Sequence, residues 1–217
     1  MAGGIRGPER RIILIGTPGN GKSATGNTIL GRPVFESSSV TQGCQKGETW
    51  LKGRKIVVVD IPSFIDTIGY WNPLLFTSYV LTEITKSVQL CSPGPHVILW
   101  VIRPLRFPQE YRDTAQLIKN IFSGQGKNYM IILFTHTEDL EGKTLERFIS
   151  ERDPFLRDLV SQCGNQVLAF DNKAEGEERE AQVAQLMTMI DDLVKKNRDA
   201  PCYTEDIIKA DAENWRK

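Results

Sequence analysis

The chain has 217 residues, 40% of them apolar and 25% charged, and 27 lysines and arginines balance 27 aspartates and glutamates. That length and composition suit one globular domain with a sizeable core and exclude wholesale disorder. A formal charge of zero supplies no field to draw in polyanions, which argues against a general binder of nucleic acid or of an anionic membrane surface. Cys44, Cys91, Cys163 and Cys202 lie far apart without a CxxC pair, and they read as reduced thiols of a cytoplasmic protein. His96 and His136 are the only histidines, so a zinc site of the usual kind is not expected. Residues 1–9 read as a flexible N-terminus without the apolar stretch of a signal peptide. No apolar run approaches the roughly 20 residues of a membrane span.

In chain order, short apolar runs alternate with helical stretches. Residues 11–15 read as a buried strand, followed by a glycine-rich turn and a helix over 24–30. Residues 48–52 alternate in polarity and, across Gly53-Arg54, are expected to pair with the apolar strand 55–60 as a hairpin, giving an antiparallel edge strand. Residues 73–90 read as a helix with one buried face. Residues 96–102, 129–135 and 166–170 are further near-continuous apolar strands, as expected when helices cover both faces of a parallel sheet. Tyr111, Ala115, Ile118 and Phe122 fall on one helical stripe, and Val183, Leu186, Ile190 and Val194 on another. Residues 145–163 are helical with a break at Asp153-Pro154, and the acidic run 175–180 suits a helix N-terminus. The expected fold is a three-layer α/β domain, its sheet mostly parallel with one antiparallel edge strand, over residues 10–197. Residues 198–217 read as a helical tail or linker, with Pro201 at the boundary.

Gly16-Thr-Pro-Gly-Asn-Gly-Lys-Ser23 is a full G-x-x-x-x-G-K-[ST] pattern between a strand and a helix. The glycines let the backbone curl so that amides from Gly19, Asn20 and Gly21 through Ala24 point at phosphate, with Thr17 and Pro18 completing the turn, and the helix N-terminus adds partial positive charge. Lys22 is placed to reach the β- and γ-phosphates, and the Ser23 hydroxyl to ligate Mg²⁺. Asp60, ending an apolar strand, is a candidate to hold Mg²⁺ through a water. Ser37 and Thr41, in a Ser/Thr-rich stretch, are nucleotide-site candidates, Thr41 with its hydroxyl on Mg²⁺ and its backbone near the γ-phosphate. His136-Thr137-Glu138-Asp139 follows one strand, and an aspartate there accepts two hydrogen bonds from guanine N1 and N2, which adenine does not offer. Asn172, after the last strand, is a candidate donor to guanine O6. Both lie at carboxyl ends of strands, where open α/β sheets bind ligands.

These residues resemble the GTPases of the immunity-associated protein family (GIMAP), relatives of the septin and plastid-import-receptor GTPases. The similarity runs from about residue 10 to 197 and includes Gly-Lys-Ser-Ala-Thr-Gly-Asn-Thr-Ile-Leu-Gly31, Ser39-Val-Thr41 with Cys44-Gln-Lys-Gly47, and Asp60-Ile-Pro-Ser-Phe-Ile-Asp-Thr67. It also includes Arg103-Pro-Leu-Arg-Phe107, Thr135-His-Thr-Glu-Asp-Leu140 and Phe170-Asp-Asn-Lys-Ala174. The resemblance implies a Ras-like sheet with added helices, GTP or GDP with Mg²⁺ as cofactors, and GTP-dependent homodimers or oligomers across the nucleotide faces, with other family members as further partners. Arg106 matches the position from which an arginine acts on the partner's nucleotide.

The sequence departs from the family pattern. Ser63 stands where the family glycine donates its N–H to the γ-phosphate, Ile61 replaces a threonine, and Phe64 stands where Ras-type proteins place glutamine to orient the attacking water. Thr137 replaces a lysine and Asp171 an asparagine. Two readings therefore stay open: a slow GTPase switch that assembles in its triphosphate state, and a guanine-nucleotide-binding interaction module that does not hydrolyse. A third, an ATP-using kinase, needs a lid with phosphate-facing arginines and an acceptor pocket; the sequence shows no such lid, although Arg103, Arg106 and Arg112 cluster. The expected location is cytoplasmic, with any contact to an intracellular membrane made through other segments or partners.

Overall fold

The computed structural model describes residues 7–36, 43–63, 72–104 and 107–215. Along the chain run β1 (Arg10–Ile15), α1 (Lys22–Leu30), β2 (Gln45–Leu51), β3 (Arg54–Asp60), α2 (Pro73–Leu90), β4 (Val97–Ile102), α3 (Gln109–Ile121) and β5 (Met130–Phe134). They are followed by α4 (Leu145–Glu151), α5 (Pro154–Gln162), β6 (Val167–Ala169), α6 (Gly176–Lys196) and α7 (Glu205–Trp215). The described strands form one sheet in the order β2-β3-β1-β4-β5-β6. Only the β2–β3 pair is antiparallel, so the expected mixed α/β sheet is the observed one.

The strands read as unbroken apolar runs because helices cover both faces. Ile12 and Leu14 face α1 and α6 through Ile29, Leu30, Val183, Leu186 and Ile190. Ile13 and Ile15 face the other way, toward Phe76, Val80 and Ile84 of α2 and Ala115 and Ile118 of α3. Both helical stripes are thus core contacts. The break before Pro154 is a junction of two helices: Asp153 caps α5, its carboxylate accepting the Phe155 N–H at 2.8 Å. Glu177 and Glu178 occupy the first turn of α6, and Lys195 and Lys196 its last, each favourable to the helix dipole.

The hairpin begins earlier than alternation alone suggests, with Gln45 opposite Asp60. Gly47 is the reason. A Cβ there would lie 2.5 Å from Leu30, so the bare backbone lets α1 close on the strand where a side chain would hold it off.

The segment beyond Pro201 docks on the helical layer of the core. Tyr203 and Ile208 are buried among the apolar residues of α2 and α3. Asp211 accepts the backbone N–H groups of Gln125 and Gly126 at 2.7 and 2.8 Å and the Tyr203 hydroxyl at 3.0 Å. A buried carboxylate with three donors is a satisfied one. At the opposite end, the carboxyl ends of β1, β3, β4, β5 and β6 deliver Gly16, Ile61, Arg103, Thr135 and Phe170 to one rim of the sheet.

Candidate nucleotide-binding site

The loop after β1 is shaped by glycine. Gly19 and Gly21 hold φ of 82° and 80°, left-handed values that cost a Cβ-bearing residue strain. Gly21 caps α1, and its carbonyl receives the Thr25 N–H at 2.9 Å and the Thr25 hydroxyl at 2.8 Å. Asn20 donates to the Thr17 hydroxyl at 2.8 Å, and Thr135, beyond β5, donates to the Asn20 carbonyl at 2.7 Å. The loop is thereby fixed both to itself and to the neighbouring strand end. Gly16 lies so close to β4 that a Cβ would meet the Val101 carbonyl oxygen at 2.8 Å. Gly16→Ala is therefore expected to cost roughly 1–3 kcal/mol of stability by pushing two backbones apart. A thermal melt and a GDP titration of that variant are expected to show a lowered Tm together with weakened binding.

Lys22, Ser23 and Asp60 are brought together at this rim. The Lys22 ammonium pairs with Asp60 Oδ1 and donates to the Ile61 carbonyl at 2.5 Å, and the Ser23 hydroxyl donates to Asp60 Oδ2 at 2.7 Å. Asp60 is fully buried and Lys22 only 4% exposed. Burial pushes the Lys22 pKa down, and the adjacent Asp60 carboxylate opposes that shift. A hydroxyl and a carboxylate side by side are the hard oxygen donors that Mg²⁺ prefers, so the residues present fit that ion. Ile61 sends its side chain into the apolar core, and Ser63 is buried close by in sequence. Cys44, just before β2, lies 3.6 Å from a Glu83 oxygen, and burial pushes its thiol up to about 12, so it is no thiolate at neutral pH.

On the base side, a cavity of about 230 Å³ is walled by Gly21 and Ala24, by His136 and Glu138, and by Asp171, Asn172 and Lys173. The Asn172 carboxamide is held by α1: its Nδ2 donates to the Thr25 hydroxyl at 3.1 Å, and its Oδ1 accepts from Thr28 at 2.9 Å. Among the described residues the second N–H of the Asn172 amide meets no acceptor, so among them it is available to a ligand. The Thr135 hydroxyl gives its proton to the Asn20 carbonyl, so in its 2.9 Å pair with His136 Nδ1 the imidazole is the donor.

Asp139 does not line this cavity. Its Oδ2 accepts from Arg103 Nε at 2.8 Å. Arg103 is a site neighbour to which sequence reasoning gave no role at the base; the useful signal was a cation at the end of β4 beside an acidic turn at the end of β5. Arg112 turns elsewhere, to Asp153 and the Phe107 carbonyl. The two described arginines of the cluster therefore answer two separate carboxylates and form no common lid. Thr137 sits in the short turn Thr137–Leu140 and is absent from the cavity wall. Ser37, Thr41, Phe64 and Arg106 lie outside the described residues.

A profile of the AIG1 family matches residues 10–216. Immune-associated nucleotide-binding protein 9 of Arabidopsis thaliana is 32% identical over 207 residues, 93% of this chain and 59% of its own length. GTPase IMAP family member 8 of Mus musculus is 38% identical over 193 residues, 87% of this chain and 28% of its own length. The chain thus spans less than two thirds of either relative. Toc33 from Arabidopsis thaliana in complex with GDP and Mg²⁺ superposes with a TM-score of 0.63 at 18% identity, over 85% of this chain and 84% of that one. A dimerization-deficient mutant of Toc33 gives a TM-score of 0.63 at 19% identity, over 85% and 84% of the two chains. The strand-loop-helix phosphate motif, the mixed sheet and the match over nearly the whole chain agree: the protein belongs to the AIG1 family and has the fold of a P-loop GTPase.

Proposed function

We propose that this domain binds GTP and GDP with Mg²⁺, turns GTP over slowly, and self-associates in its triphosphate state. The observation that carries the reading is the Lys22–Ser23–Asp60 cluster beneath a left-handed glycine loop at the carboxyl rim of the sheet. Amides from Gly19 to Ala24 cradle the phosphates, and Lys22 exchanges Asp60 for phosphate oxygen. Ser23, Asp60 through a water, and Thr41 hold Mg²⁺, which when bound neutralises charge on the β- and γ-oxygens. Asn172 and Asp139 read the base, His136 abuts it, and Ser37 and Ser63 are further residues proposed to bind the nucleotide. The names of the relatives support nucleotide binding, GTPase chemistry and an immune role. Toc33, which holds GDP and Mg²⁺ on this fold and has a dimerization-deficient mutant, supports the cofactors and the assembly.

Slow turnover follows from the side chains present. No glutamine follows Asp60-Ile-Pro-Ser63 to orient a water, and a Cβ at residue 63 restricts the backbone swing that a glycine would allow. Arg106 is the group proposed to complete a neighbour's site, so phosphate release per protomer is expected to rise steeply with protein concentration. A rate that is brisk and independent of concentration would contradict the switch. No release at any concentration would favour the second reading, a binding module without hydrolysis, which Ser63 and Ile61 in place of the family glycine and threonine motivate. Cys44, Cys91, Cys163 and Cys202 are free thiols. No helix among the described residues is long and apolar enough to cross a membrane.

A further inference from the structure

The turn that carries the proposed guanine-reading carboxylate has no cation of its own. His136-Thr-Glu-Asp139 places two acidic side chains in succession, and the position that the resemblance assigns to a lysine is Thr137. The countercharge arrives from the next strand. Ile102, the last residue of β4, is in register with Phe134, the last of β5, so the residues just beyond them emerge side by side. Arg103 Nε meets Asp139 Oδ2 at 2.8 Å, with side-chain exposures of 35% and 16%. Around the turn, His136 and Glu141 hold left-handed φ of 53° and 54°, which brackets Asp139 between two fixed corners.

We infer that Arg103 is the positioning residue for guanine recognition: it fixes the rotamer of Asp139 so that both carboxylate oxygens are presented to the base together. The inference rests on the reading of Asp139 as the guanine acceptor. A carboxylate has about four lone-pair sites, and a single Nε contact uses one of them. The remaining sites on Oδ1 and Oδ2 stay available to N1–H and N2–H of guanine. A two-point acceptor needs both oxygens placed, whereas a one-point acceptor needs only one, so loss of orientation penalises guanine more than a base lacking the 2-amino group. Charge alone does not do this. An ammonium delivers no fixed N–H direction, whereas the guanidinium plane does.

The test compares dissociation constants for GDP and for IDP, whose hypoxanthine lacks N2, in the unmodified protein and in Arg103→Gln, Arg103→Lys and Asp139→Ala. Arg103 is partly exposed, so its variants are expected to fold, which thermal melts check. For Arg103→Gln, GDP is expected to weaken roughly threefold to tenfold, with IDP changing less, so that the IDP-to-GDP ratio narrows. Arg103→Lys is expected to recover only part of the ratio, and Asp139→Ala to abolish the preference. If Asp139→Ala abolishes it and Arg103→Gln leaves the ratio intact or tightens GDP, the positioning role is wrong and the guanine reading stands. Full recovery by Arg103→Lys would also overturn it, because charge rather than direction would then be the operative property. If Asp139→Ala leaves the preference untouched, the guanine reading itself fails and the inference falls with it.

Discussion

Lys22→Ala is expected to lower GTP affinity by roughly a hundredfold or more, because it removes the point charge aimed at the β- and γ-phosphates. It is also expected to destabilise the nucleotide-free protein. Asp60 is fully buried, and its partners in the structure are the Lys22 ammonium and the Ser23 hydroxyl. Removing one member of a buried pair leaves a charge uncompensated, at a cost of about 3–5 kcal/mol. The two effects are separable. Asp60→Asn placed on the Lys22→Ala background removes the stranded charge while retaining an oxygen to accept from Ser23. Thermal melts of the double variant should recover much of the lost stability, whereas calorimetric titration with GTP should still show the binding defect. Retention of tight GTP binding by the single variant would refute the phosphate-site assignment.

Asp139→Asn is expected to exchange base preference from guanine to xanthine. An aspartate accepts from both N1–H and N2–H of guanine. An asparagine accepts at its oxygen and donates from its nitrogen, which suits a base with N1–H beside a 2-carbonyl. A mismatched donor or acceptor in an enclosed site is left without a partner, so the swing between GDP and XDP affinity should be roughly a hundredfold. The check is a pair of competition titrations against a fluorescent GDP analogue. Unchanged preference would move the reading function to Glu138, the acidic residue of that turn that lines the cavity.

Most of the fold is legible in the sequence for a simple physical reason. Both faces of this sheet are covered, so its strands have no polar face to disguise them, and residues 11–15, 55–60 and 96–102 stand out as apolar runs. The phosphate loop is legible because its geometry depends on glycines and a lysine at fixed spacing along one stretch of chain. The start of β2 is harder to read: Gly47 belongs to a strand because of what α1 brings against it. The pairing of Arg103 with Asp139 is hidden for a related reason. The two residues are 36 positions apart and meet only because β4 and β5 are neighbours in register. Asp211 looks like one more surface carboxylate in a polar helix, and its three donors come from a turn 85 residues away and from Tyr203. Local pattern reports local geometry, whereas these contacts belong to the topology.

The docking of α7 changes what a minimal version of this protein would be. Trimming the chain at Asn197 would not yield the same domain with less ornament. It would strip Tyr203 from its seat among α2 and α3 and leave the Gln125 and Gly126 amides without their acceptor. The boundary that looks natural in the polypeptide is therefore a wound in the folded body, and the final helix is as much a wall of the building as the sheet is.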